Sequence, residues 1–246
     1  MKRLSILLVA LILGGCVYSQ PLPLVVRHVN NPPKKEIALT FDDFGTRDHV
    51  DNILNTLDQY NAHATFFFIA EYPLDKSFWY YTIRHDPSSP QKSQSPADNI
   101  LTLHDIASHG DELGCHTLTH AHLPKLTLQE QTKQLRSCVD VVQNNGLPAI
   151  HVMRPPYGEY NSDTLKAAQA NGMDIILWNL DTQDWNYANG INEQDIIKEV
   201  LNNVKPGDII LMHMLNGTYT LEALPVILKT LQEQGYTFVT VSQLLH

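Results

Sequence analysis

Residues 36–45 read Glu-Ile-Ala-Leu-Thr-Phe-Asp-Asp-Phe-Gly, an apolar run of strand character that stops at two adjacent carboxylates and a turn. Neighbouring side chains on a regular strand point to opposite faces, so Asp42 and Asp43 can share one site only if the strand ends there, with Phe44-Gly45 supplying the turn. The plainer reading is an acidic turn, a common use of Asp.

The same pattern recurs along the chain. About seven strands are expected, at 36–42, 64–70, 112–116, 151–154, 174–179, 208–213 and 236–241. Between them lie apolar repeats of helical period at 47–60, 99–109, 127–144, 162–171, 192–204 and 220–234, and glycines at 146, 172 and 235 mark helix ends. This alternation predicts a single α/β domain built from repeated βα units. Residues 71–98 break the rhythm with Phe78-Trp79-Tyr80-Tyr81 and a Ser, Pro, Gln and Lys-rich stretch. They read as an insertion, either one lip of a saccharide groove or a packed helix with a loose loop.

Polar clusters stand at the C-terminal ends of successive strands: Asp42-Asp43, His116 with His120, Arg154 to Gly158, Asp181 to Trp185, and His213. Parallel βα barrels build their sites on that face, so the five point to one shared site. The spacing of His116 and His120 would put both imidazoles on one face of a helical turn, able to grip one cation. Asp43 completes a two-histidine, one-carboxylate set that leaves positions open for water and substrate.

The chain has 246 residues, 43% of them hydrophobic, and a formal net charge of -9. That length suits one domain, and the charge argues against nucleic acid, which needs clustered Lys and Arg. Met1-Lys2-Arg3, the apolar run 4–13 and Gly14-Gly15-Cys16 have the three regions of an export signal. Leu13-Gly14-Gly15-Cys16 resembles the bacterial lipobox, which implies lipidation at Cys16, a tether over 17–33 and a domain over 34–246. The expected address is the cell envelope, with membrane contact by the lipid anchor only. Val17, where an aspartate would favour inner-membrane retention, points to the periplasmic side of the outer membrane in a cell with two membranes. Cys115 and Cys138 would then sit where disulfides are permitted, but nothing in their spacing forces a pair, and two buried thiols are an equal reading.

These residues together resemble the polysaccharide deacetylase family, with its NodB homology domain, also called carbohydrate esterase family four. Thr40 to Asp43, His116 to His120, Arg154 to Gly158, Asp181 to Trp185 and Leu211 to His213 are similar to its five motifs, in the family's order. The resemblance implies a distorted (β/α) barrel and a hydrolase that removes N-acetyl groups from an N-acetylglucosamine-containing polysaccharide. It implies a divalent metal on Asp43, His116 and His120, zinc first, with cobalt or nickel as substitutes. It further implies Asp42 as general base paired with Arg154, and His213 as general acid tuned by Asp184. Tyr157 would supply a backbone oxyanion donor, and Trp185 and Leu211 the acetyl pocket. Where the family has glycine after the paired aspartates this chain has Phe44, so either the backbone differs or the glycine's task has moved one place. His104, His109 and His122 gain no role and read as solvated.

Three other functions compete: an O-acetyl esterase on xylan or a similar glycan, a non-haem iron oxygenase with the same ligand triad, and a non-catalytic glycan-binding lipoprotein. The βα order disfavours the oxygenase, and the presence of both a base and an acid disfavours the binder. Oligomeric state has no sequence signal here.

Overall fold

The structure, a computed structural model, describes residues 22–74, 94–215 and 217–246. The export signal, Cys16 and the aromatic cluster 78–81 lie outside the described residues. Nine strands form one sheet: β1 Val25–Val26, β2 Glu36–Asp43, β3 Ala64–Phe68, β4 Glu112–Cys115, β5 Val152–Met153, β6 Asp174–Ile176, β7 Leu180–Asp181, β8 Ile209–His213 and β9 Thr237–Phe238. The order is β1-β6-β5-β4-β3-β2-β8-β7, with β9 beside the start of β2, and every paired strand is parallel. The result is the expected α/β single domain, a distorted barrel that stays open between β1 and β7.

Two strands depart from expectation. The run 174–179 was expected to be continuous, yet β6 stops at Ile176 and β7 starts at Leu180. The carbonyls of Ile176 and Leu177 turn to accept from the Arg154 guanidinium, at 3.2 and 3.1 Å, instead of continuing a ladder. The other addition is β1. Residues 22–33, read as part of a tether, place Val25–Val26 against β6, where Ile175 N donates to Leu24 O at 2.8 Å and Leu177 N to Val26 O at 2.7 Å. The stretch read as an insertion also begins and ends in helix, at Glu71–Leu74 and from Pro96, while residues 75–93 are outside the description.

Helices cover the outside of the sheet. Ser95, Thr127, Asn161 and Asn192 each accept a first-turn amide and so fix where four of them begin. Within β2, Leu39 and Phe41 join the core facing these helices, whereas Ala38 joins a smaller cluster with Phe67, Val152, Ile176 and Ile209. By the two-residue period of a strand, Thr40 and Asp42 continue the Ala38 face upward. The interior is therefore graded: an apolar floor closed by Val241 and Leu244, then Thr40 with Arg154, then Asp42.

Candidate active site

Asp42 emerges on the inner face because alternation along β2 puts it there. Asp43 should face outward, but its backbone is left-handed at φ 76°, which turns its carboxylate back toward the barrel mouth. That one torsion lets two consecutive residues share a site. Phe44 is buried and meets Tyr72 edge-on at 5.6 Å, away from the mouth. Gly45 is needed for space: a Cβ there would lie 2.0 Å from the Met214 carbonyl oxygen, on the chain leaving β8. The glycine's task is thus divided, since Asp43 takes the left-handed conformation and Gly45 the close approach.

His116 and His120 do come together, but not on a helical turn as expected. They flank a turn in which Thr117 and His120 have φ of 70° and 53°. Nε2 of His116 lies 3.6 Å, and Nε2 of His120 3.5 Å, from Asp43 Oδ1. His116 Nδ1 stands 2.8 Å from the Arg154 carbonyl, to which it donates, so Nε2 is left with its lone pair facing Asp43. Burial, and after it the nearby His120, pulls the His116 pKa down to about 3, so that ring is neutral and its contact with Asp43 is not an ion pair. Asp43 Oδ1 is buried without a hydrogen-bond partner among the described residues. An unsatisfied buried carboxylate oxygen facing two imidazole nitrogens is costly unless something fills the gap. Atoms around one tetrahedral zinc at about 2.0 to 2.1 Å would be spaced by about 3.4 Å, close to what is seen. The residues fit a cation, and Asp43, His116 and His120 would hold it.

Arg154 is fully buried and makes contacts in every direction. Nη1 donates to Asp42 Oδ1 at 2.8 Å and to Thr40 Oγ1 at 2.7 Å, and the guanidinium carbon lies 4.3 Å from the centre of the Phe67 ring. A cation so enclosed has to be matched by a nearby carboxylate, and it fixes the Asp42 orientation. Burial raises the Asp42 pKa, while Arg154 and then His213 oppose the rise. Asp42 Oδ2 remains turned to the site, 3.7 Å from His116 Nε2.

Across the mouth, β8 ends at His213. Its Nδ1 stands 2.7 Å from Asp184 Oδ1, and its backbone N–H donates to Asp184 Oδ2, also at 2.7 Å. Asp184 is fully buried and accepts a third bond from the Thr220 hydroxyl. Burial of His213 opposes its charge, but Asp184, by charge and hydrogen bond, followed by Asp43 and Asp42, outweighs this and lifts the pKa to about 9. The ring is therefore held protonated near neutral pH, with Nε2–H available.

Asp42, Asp43, His116, His120 and His213 line one cavity of about 450 Å³. Tyr157, Trp185 and Leu211, expected as substrate contacts, are on its wall, so the structure unites every expected site residue except Cys16. Arg154 and Asp184 sit behind the wall, touching Asp42 and His213. His122, expected to be solvated, stacks flat on Tyr157 at 4.1 Å and contacts Glu159 at 2.8 Å. Sequence reading missed Trp178, Asp181, Tyr187 and Leu215 as lining residues. Trp178 lies next to the end of the strand expected over 174–179 and Asp181 opens the fourth polar cluster, so both carried a signal; Tyr187 and Leu215 carried none. Cys115 and Cys138, left open by the sequence, are joined as a disulfide with Cα atoms 5.7 Å apart.

Fold and site together define a class: parallel βα barrels whose C-terminal face carries a two-histidine, one-carboxylate cluster between a carboxylate and a carboxylate-tuned histidine. The family model for polysaccharide deacetylase matches residues 29–176, and the chain belongs to the polysaccharide deacetylase family. A curated relative, the peptidoglycan-N-acetylmuramic acid deacetylase PdaC of Bacillus subtilis, is 34% identical over 214 residues. That match covers 87% of this chain but only 39% of PdaC, so the chain spans about two fifths of that relative's length. The crystal structure of the Bc1960 peptidoglycan N-acetylglucosamine deacetylase aligns with TM-score 0.74 and 28% identity, covering 91% of this chain and 92% of that one. A mutant of BA3943, described as a family pseudoenzyme with restored activity, aligns equally well by TM-score, 0.74 at 26% identity, over 91% of this chain and 72% of that one. Fold alone does not separate active from inactive members, and the argument for activity has to come from the site residues.

Proposed function

We propose that the protein is a divalent-metal-dependent deacetylase that hydrolyses N-acetyl groups of an N-acetylglucosamine-containing polysaccharide such as peptidoglycan, a chitin-like polymer or poly-N-acetylglucosamine. The observation that carries this reading is the convergence on one cavity of a cation site, an Arg154-held carboxylate and an Asp184-held histidine. A glycan binder needs neither a base nor an acid.

A cation on Asp43, His116 and His120, zinc by donor set with cobalt or nickel as substitutes, would polarise the acetamide carbonyl and acidify a water molecule. Asp42, held in place by the Arg154 guanidinium, takes the proton of the attacking water as general base. His213 donates its Nε2 proton to the nitrogen as the C–N bond breaks, which leaves acetate and a free amine on the sugar. Asp184 supports this step by keeping that proton on His213 at neutral pH. Leu211 and Trp185 bound the space for the acetyl methyl, and the Tyr157 backbone amide is the oxyanion donor. The export signal read in residues 1–16 and the buried disulfide both support an oxidising, envelope location, and the lipobox-like Leu13-Gly14-Gly15-Cys16 supports a lipid anchor at Cys16.

The test is acetate release from chitin oligomers and from peptidoglycan, with zinc supplied, beside acetylated xylan as the ester competitor. Release from the amide substrates, lost on chelation and in Asp42→Asn, is the expected result. Release from xylan alone would replace the reading with an O-acetyl esterase, and tight glycan binding with no release from any substrate would replace it with a non-catalytic binder.

A further inference from the structure

The turn that carries the two imidazoles is held almost entirely from outside. Its carbonyls at Thr117 and Leu118 accept from the amides of Ala70 and Glu71, each at 3.0 Å. Its amides at Leu118 and Thr119 both donate to Gln134 Oε1, at 2.9 and 3.0 Å, and Gln134 Nε2 donates to Thr119 Oγ1 at 3.0 Å. Gln134 lies on the helix Leu128–Asn144, one turn before Cys138, whose disulfide ties that helix to Cys115, the residue preceding His116. Two side chains of one helix therefore grip the turn at both its start and its middle.

The grip matters because Thr117 and His120 are left-handed without being glycine, a conformation that persists only where the surroundings enforce it. His116 has a separate restraint in its bond to the Arg154 carbonyl. His120 has no hydrogen bond of that kind among the described residues; it meets the Tyr157 ring edge-on at 4.8 Å, and its backbone position follows from the turn. We infer that Gln134 is a positioning residue that sets cation affinity by holding the 117–119 turn in the shape that brings His120 to Asp43. This rests on the cation site proposed above.

The experiment measures the zinc dissociation constant of the full chain by chelator competition, the visible absorption of the cobalt(II) form, and the melting temperature of metal-free protein. Gln134→Ala should weaken zinc by about 10- to 100-fold, the range for groups that orient metal ligands, and alter the cobalt spectrum while the metal-free protein stays folded. Gln134→Glu keeps the oxygen that accepts both amides, and should recover affinity to within about threefold of wild type. Zinc binding by Gln134→Ala within about twofold of wild type, or no recovery in Gln134→Glu, overturns the inference. Asp43→Ala is the control that separates the two readings. If wild type binds zinc no better than Asp43→Ala, the cation site itself is wrong and the inference falls with it; if wild type binds and Gln134→Ala matches it, only the role of Gln134 is lost.

Discussion

Replacing Asp184 with asparagine tests the acid half of the mechanism directly. The carboxylate accepts three bonds, from His213 Nδ1, the His213 backbone N–H and the Thr220 hydroxyl. Burial by itself lowers the His213 pKa, and the rise from 6.5 to about 9 depends on Asp184 first among the opposing charges. That rise corresponds to roughly 3 kcal/mol of preference for the protonated ring. Without that charge, burial draws His213 back toward its ordinary 6.5, with Asp43 and Asp42 still opposing. If it returns fully, the protonated fraction at pH 8 drops from about 0.9 to about 0.03, so acetate release should fall by up to about 30-fold. The sign is fixed by the acid role: wild-type kcat/KM should decline as pH rises through about 9, and the variant's alkaline limb should move down toward about 6.5. Asparagine also points an N–H₂ at a buried donor, so a stability loss of about 1–3 kcal/mol is expected, and the melting temperature should be read beside the rate. A folded Asp184→Asn enzyme whose alkaline limb stays near pH 9 would refute the assignment of His213 as the acid.

Three further outcomes follow from the geometry. Arg154→Met leaves the buried Asp42 without its cation, so urea denaturation should show a loss of about 3–5 kcal/mol, and the acid limb of kcat/KM should move to higher pH. Gly45→Ala places a methyl against the Met214 carbonyl and should cost about 3 kcal/mol by the same measurement, with activity falling because His213 is the next residue back. Asp111 is buried and its pKa is raised to about 7, chiefly by burial, so the native state holds an extra proton between about pH 4 and 7 and loses stability as pH rises through that window. Asp111→Asn keeps an acceptor for the Ala64 amide and should melt higher than wild type at pH 8, by up to about 4 kcal/mol, with the gap closing near pH 4.

Much of the arrangement was legible before any coordinates. The strand-and-helix alternation gave the α/β domain of repeated βα units, the family resemblance gave the barrel, and the polar residues at strand ends gave the site, because in parallel βα units every C-terminal strand end opens on the same face. Local signals were weaker where the backbone departs from regular geometry. The spacing of His116 and His120 suggests a helical turn, and two left-handed residues replace it; the strand read over 174–179 breaks at the carbonyls that Arg154 claims. His122 read as solvated because its partners, Tyr157 and Glu159, are more than thirty positions away in sequence.

Residue type and order, with the family resemblance they carry, determined which groups are candidates for chemistry here: the paired aspartates, the two histidines, Arg154, and His213 with Asp184. Tertiary structure alone decided how adjacent Asp42 and Asp43 come to share a site, through the φ of 76° at Asp43, and why Phe44 does no harm where a glycine was expected. It also decided that Cys115 and Cys138 pair, and that Gln134 reaches the turn carrying His116 and His120. The division has a physical cause. Donor chemistry belongs to a side chain wherever it stands, but a torsion, a disulfide or a hydrogen bond exists only when distant segments are brought to within a few ångströms of each other.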